Sequence, residues 1–251
     1  MVIAFDIGNT FIHIGFFEDE KLRRALKIPS TDNFNQKHLK RMVLGHGPLR
    51  LKRIEATVIV SVVPVVTARL TRYLTEIFNS EPMVVSFKSD CRLKYGYEKP
   101  GTLGVDRIAN AVGGLARYDT NLLIIDFGTA TTFDVVFKTG WFPGGIIVPG
   151  IQTGLWSLAE KTAQLKRVVI RKPPRIIGQS TEACIQSGIF YGNILMTQAL
   201  IRRITREQKK KFLCVATGGW GKLMAAQISE IDKFDPDLGL FGALKIYQYN
   251  R

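Results

Sequence analysis

The chain has 251 residues, 46% of them hydrophobic, and a formal net charge of +14. That length holds one large domain or two of ordinary size, and that apolar content excludes wholesale disorder. No apolar run approaches the length of a bilayer span, so no membrane partner is expected.

In chain order, the apolar runs Val2–Phe5 and Phe11–Phe17 predict two strands around Asp6-Ile7-Gly8-Asn9-Thr10. A strand over Thr57–Val63 follows, then a helix after Pro64 with Leu70, Leu74, Ile77 and Phe78 on one face, and a strand over Met83–Phe87. Leu103–Tyr118 reads as a helix. Leu122–Ile125 and Phe133–Phe137 predict strands around Asp126-Phe127-Gly128-Thr129-Ala130. Ile146–Val148 is a short strand, and a helical pattern follows Gly150. Ser180–Arg206 predicts a long helix, with Ile185, Ile189, Ile194 and Ile201 available for burial. Phe212–Ala216 is a strand and Trp220–Ile228 a helix. Strands and helices mixed in this order indicate α/β architecture.

The charge falls in runs, at Lys21–Lys27, Lys37–Arg41, Lys166–Arg175 and Arg202–Lys211. No aromatic interleaving and no DNA-binding motif accompanies them. A solvated basic surface is therefore expected, with no specific nucleic-acid site. Three widely spaced cysteines, Cys91, Cys184 and Cys214, form no metal-ligand pattern. Cys184 and Cys214 lie in apolar stretches and are expected as small core fillers. Asp6 falls inside what would be the h-region of a signal peptide, which argues against secretion and for a cytoplasmic protein.

The two hairpins share a pattern: an apolar strand, an Asp at its end, an apolar residue, a Gly, then small polar residues. Backbone N–H groups and hydroxyls in such a loop can hold phosphate oxygens, and the Asp a cation that bridges them. One Asp-X-Gly turn is ordinarily only a turn. Two copies, each opening half of the chain, point to a nucleotide cleft between related halves, 1–117 and 118–251. Asp126-Phe127-Gly128 also matches a protein-kinase tripeptide, but the glycine-rich and His-Arg-Asp loops of those enzymes are missing.

Three further clusters could carry chemistry. In Tyr97-Glu98-Lys99-Pro100-Gly101-Thr102-Leu103-Gly104-Val105-Asp106-Arg107, the Asp and Arg fall at a helix start. Asp106 there is either a helix-terminal acid or a base beside a guanidinium that holds an acidic substrate, and spacing alone leaves both open. Gly144-Gly145-Ile146-Ile147-Val148-Pro149-Gly150 is either a hairpin or a close approach of backbone to a ligand. Ala216-Thr217-Gly218-Gly219 is either a plain turn or bare backbone for a nucleotide base or ribose.

The ordered set of these segments, with Ser61-Val62-Val63-Pro64 and Ser180-Thr181-Glu182-Ala183 through Gly192, resembles type III pantothenate kinase over essentially the whole chain. The resemblance implies two duplicated α/β domains of the acetate kinase, sugar kinase, Hsp70 and actin superfamily (ribonuclease H-like). It implies ATP-dependent phosphorylation of pantothenate, the first step of coenzyme A synthesis, by a cytoplasmic homodimer. ATP with Mg²⁺ and a monovalent cation, K⁺ or NH₄⁺, are the implied cofactors. By position, Asp6, Ile7, Gly8, Asn9, Thr10, Phe11, Ile12 and His13 correspond to the first ATP loop, and Thr129 to a further ATP contact. Tyr97, Gly104, Val105, Asp106, Arg107 and Thr181 correspond to the pantothenate site, with Asp106 as proton acceptor. Asp126 corresponds to the monovalent-cation ligand, and Asp6 to a Mg²⁺ ligand through water. Phe11, Ile12 and His13 depart from the small or polar residues usual after that loop. Another small-molecule kinase of the superfamily, or a regulatory protein using the basic surface, is the competing expectation.

Overall fold

The computed structural model describes residues 1–30, 35–44, 54–161 and 168–251. They form two compact units, one of residues 1–118 with 237–251 and one of residues 119–236. Residues 166–167 of the basic run Lys166–Arg175 lie outside the described residues.

The first unit is built on a five-stranded sheet of order β3-β2-β1-β4-β5, with β1 at Val2–Ile7, β2 at Phe11–Glu18, β3 at Lys21–Pro29, β4 at Ala56–Ser61 and β5 at Met83–Val84. The first three strands are antiparallel, and β4 and β5 run parallel to β1. One sheet face, with Ile3, Phe5, Ile7, Ile12, Ile14 and Phe16, packs on α1 (Gln36–Leu44) through Leu39 and Val43 and on α2 (Pro64–Phe78) through Val66, Leu70 and Leu74. A short β6 (Lys94–Tyr95) precedes α3 (Val105–Tyr118).

The second unit repeats the plan in a sheet of order β10-β8-β7-β11-β12. Here β7 is Leu122–Phe127, β8 Ala130–Val136, β10 Gly144–Pro149, β11 Leu213–Thr217 and β12 Lys233–Phe234, with a short β9 at Trp141–Phe142. Leu123, Ile125, Phe127, Phe133 and Val135 share a core with Ile151 and Leu155 of α4 (Ile151–Lys161) and with Phe190, Ile194, Ile201 and Ile204 of α5 (Thr181–Gln208). Met224 of α6 (Gly221–Ala225) closes it.

The boundary falls between Tyr118 and Asp119, but residues 237–251 belong with the first unit, not with the second half as the duplication suggested. The cause is α7 (Leu238–Tyr249), which crosses α3 backbone to backbone. A Cβ on Gly113 would reach the Gly242 amide at 2.9 Å, and one on Gly242 would strike the Ala109 carbonyl. From Leu238 to Leu244 α7 is apolar and buried on every side, wedged among neighbours rather than laid on a surface, so it shows no amphipathic period.

Other departures are local. β3 alternates exposed Lys21, Arg23 and Lys27 with half-buried Leu22, Leu26 and Ile28, an edge strand that reads in sequence as a charge run. β5 stops at Val84 because Ser86 to Ser89 closes a turn, with the Ser86 N–H on Ser89 Oγ at 3.1 Å. Cys214 is buried but Cys184 is exposed, correcting its expected role as core filler: it lies on the outer face of α5. Among the described residues, no helix is long and apolar enough to cross a membrane.

Candidate functional site

In the first unit, β1 and β2 turn through Gly8-Asn9-Thr10, closed by the Gly8 N–H on the Phe11 carbonyl at 3.0 Å. Ile7 and Ile12 of this segment point into the core, so only their backbone is available to a ligand. Asp6 lies on the opposite sheet face, cross-strand from His13, which in turn pairs with Lys27. Burial and the Lys27 charge push the His13 imidazole down to about 4, so it is neutral at physiological pH. The ring of Phe11 carries the Lys27 ammonium 4.1 Å from its centroid. Two residues outside the sequence reading join this region. A Cβ on Gly239 of α7 would lie 3.1 Å from both Asp6 Oδ2 and Asn110 Oδ1, so the two side chains share that bare backbone.

The α3 start holds the second group of this unit. A 3-10 turn over Pro100–Thr102 precedes it, and Leu103 is buried beneath. Asp106 Oδ1 accepts the Arg107 N–H at 2.8 Å. Among the described residues this is the carboxylate's one hydrogen bond, which leaves Oδ2 for a ligand. A side chain on Gly104 would collide with Oδ1, so the glycine makes this carboxylate position possible. Arg107 is buried, at 6% exposure, and donates through Nη1 to Tyr97 Oη at 2.7 Å. A guanidinium held this way is suited to a carboxylate ligand.

In the second unit, Gly128-Thr129 forms the tip between β7 and β8, with the Gly128 N–H on the Ala130 carbonyl at 3.1 Å. Thr129 is fixed by α4: its carbonyl accepts from the Gly150 N–H at 3.1 Å and from Thr153 Oγ1 at 2.6 Å. Asp126 lies beneath Gly218, whose φ of +85° and near contact with Asp126 Oδ1 and the Phe127 backbone admit no side chain. Gly218 thus joins the cluster Ala216–Gly219 to Asp126. Thr181 is exposed at the first turn of α5, where Ser180 Oγ caps the helix by accepting from the Ala183 N–H at 3.2 Å. Among the described residues, no group of three or more His, Cys, Asp or Glu is placed to hold a metal.

Each unit by itself thus carries an Asp at the end of a central strand, a glycine hairpin beside it and further glycine backbone packed on the Asp. The model of the type III pantothenate kinase family matches residues 2–203. The chain belongs to the type III pantothenate kinase family. Type III pantothenate kinases of Moorella thermoacetica and Dehalococcoides mccartyi are each 36% identical to it. The first match covers 100% of both chains, the second 100% of this chain and 98% of the relative. Among solved structures, a Campylobacter jejuni protein assigned to the Baf family of transcriptional activators superposes with TM-score 0.60 at 18% identity, covering 99% of this chain and 98% of that one. Component A of the (R)-2-hydroxyglutaryl-CoA dehydratase of Acidaminococcus fermentans gives 0.53 at 13% identity, over 98% and 96%. These structural likenesses speak for the fold alone.

Proposed function

We propose that this protein transfers the γ-phosphoryl group of ATP to the primary hydroxyl of pantothenate, giving 4′-phosphopantothenate and ADP. The observation that carries this reading is the pair Asp106 and Arg107. One has a carboxylate oxygen left over from its helix start, and the other has its guanidinium buried and braced on Tyr97. Arg107 pairs with the pantothenate carboxylate, and Tyr97, Gly104, Val105 and Thr181 orient the rest of the substrate. Asp106 Oδ2 accepts the hydroxyl proton as that oxygen attacks the γ-phosphorus and the bond to the ADP oxygen breaks. Phosphoryl transfer asks the protein mainly for positioning and charge compensation. Gly8, Asn9, Thr10 and Thr129 supply the loop contacts to the ATP phosphates, and Phe11 and His13 flank them.

The oxygens of Asp6 and Asn110, both close to Gly239, suit a hydrated Mg²⁺, which would neutralise phosphate charge when bound. Asp126, an acid among glycine backbone beside a phosphate loop, suits K⁺ or NH₄⁺.

The reading includes a homodimer through α5. The isoleucines expected to drive it pack into the helix's own unit: Ile194 and Ile201 are buried there, and Ile185 and Ile189 pack against the same core. What α5 leaves outside is a stripe of Thr181, Cys184, Gly188, Gly192, Leu195 and Ala199. Among the described residues a Cβ on Gly188 or Gly192 would meet nothing within 4 Å, which leaves room for a second α5 across a two-fold axis. Three free thiols fit a reducing cytoplasm.

The test is a coupled ADP-release assay with ATP, Mg²⁺ and K⁺, comparing pantothenate with sugars and short-chain acids. Turnover confined to pantothenate is expected. Turnover on a sugar with none on pantothenate would replace this reading with that of a different small-molecule kinase.

A further inference from the structure

The duplication extends past the two hairpins into the third strand of each sheet. In the first sheet Phe11, which opens β2, pairs with Pro29, which ends β3. In the second, Ala130, which opens β8, pairs with Pro149, which ends β10. The residue after each proline then reaches back to the loop. The Ser30 N–H donates to the Thr10 carbonyl at 2.9 Å and the Gly150 N–H to the Thr129 carbonyl at 3.1 Å. Each unit adds a hydroxyl to this backbone bond. Ser30 Oγ donates to the Gly8 carbonyl at 2.5 Å, and Thr153 Oγ1 to the Thr129 carbonyl at 2.6 Å.

We infer that Ser30 and Thr153 are positioning residues, a matched pair of hydroxyl clamps that set the two phosphate-binding loops for ATP. This rests on the reading of those loops as ATP contacts.

The physical argument concerns peptide planes. A trans peptide opposes its C=O and the following N–H, so holding a carbonyl aims the next amide to the other side. Ser30 is buried, at 5% exposure, beneath the first loop. Its hold on the Gly8 carbonyl turns the Asn9 N–H away from the core. Thr153 does the same for the peptide joining Thr129 to Ala130. Without its hydroxyl the Gly8 carbonyl turns toward water or toward the phosphates, where an oxygen dipole opposes an anion, and the Thr129 carbonyl is held by the Gly150 N–H with less constraint on its plane. The two loops differ in length: Asp6 pairs with His13 across the first hairpin and Asp126 with Thr132 across the second, so the first has one residue more. That difference explains why the hydroxyls come from different places. The longer loop needs its Gly8 peptide held from below by Ser30, whereas the shorter one receives its second bond from the first turn of α4.

The test uses the full-length protein with Ser30→Ala, Thr153→Val and Thr153→Ser. Turnover, equilibrium binding of ATP·Mg²⁺ and thermal melting are measured together. Ser30→Ala and Thr153→Val are expected to lower kcat/KM for ATP and ATP affinity by up to about tenfold, the scale of one lost hydrogen bond. The KM for pantothenate should stay within about twofold, and Thr153→Ser, which keeps the hydroxyl, should match the wild type. ATP kinetics and binding unchanged in both Ser30→Ala and Thr153→Val would overturn the inference. So would a loss shared equally by ATP and pantothenate that follows the melting temperature, since it would mark a merely structural role. A wild type that binds ATP but does not phosphorylate pantothenate would defeat the functional reading, while the binding data still decide the clamps.

Discussion

Asp106 and Arg107 are sequence neighbours joined by one bond, the Arg107 N–H on Asp106 Oδ1 at 2.8 Å, and their side chains are otherwise committed separately. The Asp106 carboxylate shares the Arg107 amide with the Gly104 carbonyl, which accepts it at 3.1 Å, and uses one oxygen to do so. The Arg107 guanidinium is buried and braced on a phenol. The two readings that spacing left open, helix-terminal acid and base, are therefore compatible, because each uses a different oxygen.

Tyr97→Phe removes the hydroxyl that receives Arg107 Nη1 at 2.7 Å while keeping the ring. The guanidinium then loses its brace but not its charge. The KM for pantothenate should rise by roughly three- to tenfold, with kcat and the KM for ATP little changed, since a hydrogen bond to a charged group contributes about 1.5–3 kcal/mol and part is recovered from water. Steady-state kinetics with each substrate varied in turn checks this.

His13 gives a pH signature. Its folded value, about 4, lies below the ordinary 6.5, so the unfolded chain takes up the proton first as pH falls. Stability is fully present above about 6.5 and declines down to about 4, by at most ~3 kcal/mol. His13→Leu should flatten that part of the stability curve. Urea unfolding midpoints between pH 7 and 4.5 measure it, and a slope identical in both proteins would show that other groups carry the acid sensitivity.

Much of this was legible beforehand because buried strands announce themselves. Val2–Ile7 and Leu122–Phe127 are near-continuous apolar runs, and each ends at a recognisable Asp-X-Gly. What escaped was set by tertiary context. β3 hides as a basic run because only its inner face is apolar. α7 carries no period because its Leu238–Leu244 stretch is buried on all sides. Ser30 and Thr153 are common residues whose role appears only once Pro29 and Pro149 are seen in register with Phe11 and Ala130. Asn110 had a faint signal, a lone amide in the otherwise apolar run Ile108–Val112 of α3, but its neighbour Gly239 comes from the far end of the chain.

The dimer is testable at Gly188. Among the described residues a Cβ there meets nothing within 4 Å, so Gly188→Leu should leave the isolated fold intact and block close approach of a second α5. Light scattering at micromolar concentration should give a dimer for the wild type and a monomer for the variant. A variant that remains dimeric would move the interface elsewhere.

Asp126 should make turnover depend on a monovalent cation. Asp126 Oδ1 lies against Gly218 and Gly128, beside the loop proposed to hold phosphates, where a bound cation would offset the gathered negative charge. Replacing K⁺ with a bulky organic cation should abolish most activity, and Asp126→Ala should do so at any K⁺ concentration. Full turnover in buffer free of K⁺ and NH₄⁺ would remove the cation from the mechanism.

Asp106→Asn separates the two oxygens of that side chain. The amide oxygen can still accept the Arg107 N–H, as Oδ1 does at 2.8 Å, and Gly104 still leaves it room. Folding should therefore be nearly unchanged, with a cost of at most ~1 kcal/mol from the lost charge at a helix N-terminus. ATP affinity should hold, because the phosphate loops lie on other elements. The remaining position now carries an amide nitrogen that cannot take a proton, so kcat should fall by roughly 10²–10⁴-fold. Melting temperature, ATP affinity and kcat measured on this one variant distinguish the roles. A well-folded Asp106→Asn protein that keeps more than about a third of wild-type kcat would falsify the assignment of Asp106 as the base, since loss of a general base costs far more than that.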